Sequence, residues 1–201
     1  MSTVQLKLGP KDHGHRLTLD EYDEADFEPG FKYEIIDGRL YVSTAPNAPE
    51  NLLENWLHMK LFMYSAHNPS VINLVTSEPR VFVHSRKSAT VPEPDIAAYQ
   101  DFPRETSLRE LDWRTLSPVL VVEVLVDGKP EKDLVRNLEL YFDVPSISEF
   151  WVLDGRDNPD EPTLIQHRRY GKRWVVRSFA FGSTFTSKLL PGFELLINPR
   201  K

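Results

Sequence analysis

The sequence predicts one domain of the α/β (α+β) class, and three observations predict it. Ser117 to Leu125, SPVLVVEVL, is a run of apolar and β-branched residues that reads as a strand buried on both faces. Hairpin signals stand near the two ends of the chain, at Asp37-Gly38 and at Gly171-Lys172. Between them a strand, a helix and a second strand follow one another over about thirty-five residues, the length of a βαβ-like unit, with strand direction left open.

Taken in order, residues 1–16 are polar and read as a flexible segment, and 17–201 as the domain. Thr18 opens a short acidic helix, Leu19 to Phe27, with Thr-Leu-Asp-Glu as a capping box; Pro29-Gly30 ends it. Tyr33 to Ile36 and Arg39 to Ser43 form the first hairpin. A long helix follows over about Glu50 to Ser65, because Leu53, Trp56, Leu57, Leu61 and Tyr64 recur at helical spacing. Val71 to Thr76 and Pro79 to His84 read as strands. Pro94 cannot donate to a ladder, so the next strand begins at Asp95 and runs to Tyr99. Residues 100–116 are a charged connection with one helical turn near Arg104 to Leu111. After the buried strand comes a helix from about Glu131 to Phe142, then a strand, Ser148 to Asp154. Thr163 to Tyr170 and Arg173 to Phe181 make the C-terminal hairpin, and Phe193 to Ile197 a last strand.

Composition narrows the function classes. The chain has 201 residues, no cysteine and a net charge of −6. Thiolate chemistry and Cys-type zinc sites are excluded, and a reducing, cytoplasmic setting is expected. The first residues lack the apolar core of a signal peptide, and no segment approaches a membrane span. The acidic balance argues against general polyanion binding, so any contact with nucleic acid needs a local basic patch. The hairpin His167 to Arg177, with Tyr170 and Trp174 between its cations, is one such patch, and a solvated face reads as well.

The candidate chemistry lies in carboxylates placed in or at the ends of strands. An ionised Glu123 inside a buried strand is costly unless it meets a cation or a metal. Asp95 sits at a strand mouth, where the backbone fixes it and access remains; a turn-forming aspartate is an equal reading there. Glu34 lies in the first hairpin, where a solvent-facing glutamate is the usual occupant. Together Glu34, Asp95 and Glu123 form an oxygen-only set that suits Mg²⁺ or Mn²⁺ rather than zinc. Such an ion polarises a phosphodiester, activates water and steadies the leaving oxygen.

The succession YEIIDGRLYVS, PEPDIAAY, PVLVVEVL and KDLVRNLELYFDVPSISEFWVLD resembles the Uma-type putative restriction endonuclease family, a branch of the PD-(D/E)XK nucleases, over nearly the whole chain from about Leu17. The resemblance implies a restriction-endonuclease-like fold, a mixed central sheet flanked by helices. It implies a metal-dependent endonuclease with DNA as substrate, and Glu34, Asp95 and Glu123 at the acidic metal positions. Two departures stand out. Leu125 occupies the place of the superfamily's lysine after the last acid. In the pattern D-x-x-x-K-x-x-x-Y that this branch often carries on the next helix, Asp133, Asn137 and Tyr141 appear, with Asn137 where lysine is expected. Lys132 or Arg136 is then the remaining source of charge for a developing phosphate, on a helical row rotated from that face. The start of the long helix carries Glu50-Asn51 where relatives often have histidine. The alternative reading is a catalytically weakened nuclease-fold protein that acts as a binding or assembly module, as a homodimer.

Overall fold

The computed structural model describes residues 5–127 and 132–201, and of Lys132 and Asp133 the backbone only. The chain opens with strand β1 (Lys7–Leu8), a 3₁₀ turn at Pro10–Asp12, and helix α1 (Leu19–Glu24). Thr18 caps α1 in a reciprocal box: its Oγ1 accepts from the Glu21 amide at 3.2 Å, while Glu21 Oε2 accepts from the Thr18 amide at 2.8 Å. The helix is shorter than the sequence suggests, because Asp26–Phe27 form strand β2 in parallel with β1. That pairing buries Leu8 and ties residues 5–16 onto the domain, where composition alone reads a loose polar segment.

Strands β3 (Phe31–Ile36) and β4 (Arg39–Thr44) make the first hairpin as a separate two-stranded sheet. Asp37 (φ 49°) and Gly38 (φ 72°) both take left-handed backbone, which is what a tight two-residue hairpin turn demands. Helix α2 (Ala48–His67) follows, capped by Asn47, with Glu50 closing its capping box. Next come β5 (Leu74–Ser77), β6 (Ile96–Tyr99) and β7 (Leu120–Leu125). Residues 79–84 are not a ladder strand. The amides of Val81 and Val83 donate to Pro92 and Thr90, but Pro79, Pro92 and Pro94 lack the donors to continue the pairing. Residues 104–111 form turns, and the short helical turn lies further on, at Trp113–Thr115.

A π turn at Lys132–Arg136 leads into helix α3 (Asn137–Phe142). Then come β8 (Glu149–Asp154), the C-terminal hairpin of β9 (Thr163–Tyr170) and β10 (Arg173–Phe179), and a small hairpin of β11 (Thr184–Thr186) with β12 (Glu194–Leu196). The central sheet has six strands in the order β10-β9-β8-β7-β6-β5. It is mixed: β7 and β8 run parallel, the other neighbours antiparallel. Alternation along β7 divides the core. Leu120, Val122 and Val124 face α2, while Val121 and Leu125 face α3 and the first hairpin. Every residue of β7 is buried, as a strand covered on both faces must be.

Candidate active site

Register brings two carboxylates together. β6 and β7 are antiparallel, with Ile96 opposite Val122 and Ala97 opposite Val121. One step further along the same register sets Asp95 opposite Glu123, and alternation points both side chains to the α3 side of the sheet. Asp95 Oδ2 accepts from the Val124 amide at 2.7 Å, which pins it across the strand pair. Both carboxylates are buried.

Neutral donors meet Glu123 from α3. Its Oε1 accepts from Asn137 Nδ2 at 2.7 Å and from the Tyr141 hydroxyl at 2.6 Å. Burial first, and then the charge of Glu123, pushes the Tyr141 hydroxyl far above the ordinary tyrosine pKa, so it stays a donor. Asn137 is 0% exposed and works at both ends: its Oδ1 accepts from Arg136 Nε at 3.0 Å. A lysine has no acceptor and could not take that second bond.

Arg136 therefore joins this carboxylate cluster, although its helical row lies to one side. Arg136 keeps ordinary helical backbone (φ −60°, ψ −52°) beside Asn137, and the length of its side chain carries the guanidinium back across Asn137 to Glu34. Its guanidinium donates to Glu34 Oε2 at 2.9 Å and lies 5.0 Å from the centre of the Tyr41 ring. Burial works against this cation, but Glu34, by charge and hydrogen bond, holds its pKa above the usual arginine value. Lys132, the other cation expected here, has its side chain outside the described residues.

Glu34 is buried rather than solvent-facing, and its Oε1 accepts from the Glu93 amide at 3.2 Å. The Glu93 carboxyl beside it is pushed up to about 7, by burial first and by the charge of Glu34, with Arg80 opposing. Among the described residues no three His, Asp or Glu side chains stand close enough to hold one metal ion. The opposed pair Asp95–Glu123 is assembled; the trio with Glu34 is not.

The cation that sequence reading missed is Lys32. Its ammonium lies 2.9 Å from Asp95 Oδ1 and 2.9 Å from Glu78 Oε1. Burial opposes its charge, but Asp95 and then Glu78 keep its pKa well above the ordinary lysine value. Lys32 is two residues before Glu34 on β3, so alternation sends both toward the sheet. That period-two relation was the available signal; motif spacing directs attention to β7 and α3 instead.

Two basic residues of the C-terminal hairpin serve the fold, while Lys172, Arg173 and Arg177 are exposed. Arg169 donates to the carbonyls of Tyr141, Phe142, Val144 and Ile147 and so closes the end of α3. His167 is buried and stacked on Phe150.

The model of the Uma2 family, described as "Putative restriction endonuclease", matches residues 19–198. The chain belongs to this family. The fold agrees with it. The crystal structure of a putative nuclease of the DUF820 group from Anabaena variabilis superposes with a TM-score of 0.63 at 15% identity, covering 90% of this chain and 95% of that one. No curated protein matches the chain. The Uma2 assignment bears out the resemblance carried by the four sequence segments, and the six-stranded mixed sheet bears out the fold class it implies.

Proposed function

We propose that this Uma2 protein is a metal-dependent endonuclease that hydrolyses phosphodiester bonds in DNA, in the cytoplasm. The observation that carries the reading is the opposed, buried pair Asp95–Glu123 with a cation on either side, Lys32 at Asp95 and Arg136 one amide away from Glu123. The donor set is all oxygen, which fits a hard ion, and Mg²⁺ commonly takes one or two protein carboxylates and keeps water elsewhere. Asp95 and Glu123 would hold it. When bound, Mg²⁺ or Mn²⁺ supplies Lewis acidity to a phosphoryl oxygen and an activated water.

The chain's own groups divide the remaining work. Lys32 and Arg136 offer fixed positive charge to the phosphate as negative charge builds in the transition state. Glu34 is a positioning residue that aims Arg136. Asn137 and Tyr141 fix the Glu123 carboxylate so that its orientation is set before substrate arrives.

One observation favours a second reading. Asp95 Oδ1 and Oδ2 and Glu123 Oε1 are each already met by a donor or cation of the chain. A nuclease fold so satisfied suits a binding or assembly module that has lost turnover. The two readings separate in paired assays. Thermal melts with millimolar Mn²⁺ should rise for the natural protein and not for Asp95→Ala or Glu123→Ala. Supercoiled plasmid should be nicked with Mg²⁺ or Mn²⁺ and stay intact with either variant. No rise at millimolar Mn²⁺ removes the metal site; a rise with intact plasmid selects the binding module.

A further inference from the structure

Helix α2 has two apolar faces, and the sheet uses only one. Leu53, Trp56, Leu57, Leu61 and Tyr64 fill the core. On the outside, Leu52, Asn55, Met59, Phe62 and Ala66 follow at alternating steps of three and four, with Met63 alongside. That is the a/d spacing of a coiled-coil seam. Leu52 is 67% exposed, Met59 52%, Phe62 56% and Met63 54%. Single exposed apolar side chains are ordinary; four large ones aligned on one helix are an interaction face.

We propose that this seam joins two copies of the chain, packed α2 against α2 about a two-fold axis. Charge supports a second copy. The chain carries a net −6, yet neither the seam nor its outer flank, Asn51 and His58, carries an acid. Two identical faces can therefore meet without like-charge contact, whereas a membrane-surface helix would show lysines and arginines along its rim. Asn55 is the single polar residue at a seam position, the device that fixes register and copy number in helix pairs. The helix has 20 residues, so a seam about 30 Å long and 11 Å wide gives a footprint of roughly 700 Å² over two copies. That is short of a standard interface, so the pairing is a weak, transient one that shows only as concentration rises. The carboxylates Asp95 and Glu123 lie on the α3 side of the sheet and form no part of the seam.

The test uses the whole chain. Light scattering from about 1 to 300 µM should show the mass rising from one copy toward two. Phe62→Glu should remain a single copy throughout with an unchanged melting temperature. The chain has no cysteine, so Met59→Cys carries the only thiol. A short bis-maleimide should link that variant into dimers at least tenfold faster than Ser178→Cys, an exposed control on β10. A single-copy mass at every concentration, or equal linking of the two variants, overturns the proposal. So does vesicle binding that Phe62→Glu abolishes while the mass stays at one copy.

Discussion

Replacing Glu93 by glutamine should stabilise the protein, and only above a certain pH. The Glu93 carboxyl is moved from an ordinary 4.5 to about 7, by burial and by the nearby charge of Glu34. Below pH 4.5 it is protonated in folded and unfolded chains alike and contributes nothing. Between pH 4.5 and 7 the folded chain keeps a proton the unfolded chain has lost, so stability falls as pH rises. Above pH 7 the cost is complete. The displacement corresponds to about 3 kcal/mol at most, and with a quarter of the side chain exposed about 2 kcal/mol is the better expectation. Glutamine has no charge to bury. Arg80 is not orphaned by the change, because Asp23 Oδ1 stays 2.6 Å away. Tryptophan-monitored urea unfolding should therefore superpose Glu93→Gln and the natural protein near pH 4.5 and separate them at pH 8, with the variant more stable. In melting temperature the gap at pH 8 is roughly 4–8 °C for a chain of this size. A variant that is less stable at pH 8, or a gap that does not change with pH, would refute the reasoning.

Tyr141→Phe removes a buried, charge-assisted donor from Glu123 and should cost about 1.5–3 kcal/mol, read as a clear drop in melting temperature; a shift under about 1 °C would mean the bond contributes little. Lys32→Met should lose about 1–3 kcal/mol, between the surface and buried limits for ion pairs. Since the folded lysine pKa lies above its ordinary 10.5, that loss should be the same in unfolding measured at pH 6 and at pH 9; a loss that vanishes by pH 9 contradicts the pairing. Asn137→Lys should not raise plasmid nicking, because it removes the acceptor that holds Arg136 and adds a charge that, on the proposed reading, Lys32 and Arg136 supply; a gain of about a hundredfold or more would assign that role to position 137 instead.

The parts of the fold legible in the sequence were those with a strong local period. The turn at Asp37-Gly38, the apolar row of α2 and the unbroken run of β7 each dictate their element without help from distant residues. Residues 79–84 misled because strand propensity does not reveal that the facing segment contains Pro92 and Pro94. Within the site, Asp95 and Glu123 were readable from position, since a strand end and a buried strand expose their own logic. Arg136 lies on the neighbouring row, as periodicity places it, but a row says nothing of how far a long guanidinium side chain reaches, and here it reaches Glu34. Lys32 escaped because its partner Asp95 is 63 residues away, a relation made by folding the hairpin onto the sheet.

The Lys32–Asp95 contact also bears on how an anion would approach. Four carboxylates, Glu34, Glu78, Asp95 and Glu123, face two fixed cations, Lys32 and Arg136, so the cluster carries a formal charge of two negative. Left to itself it repels a phosphodiester, weakly. A divalent ion, were one held there, would cancel that charge with a single binding event. Affinity for the strand, and not turnover alone, would then depend on the ion, giving the protein an electrostatic gate in which the backbone approaches only once the repulsion is cancelled.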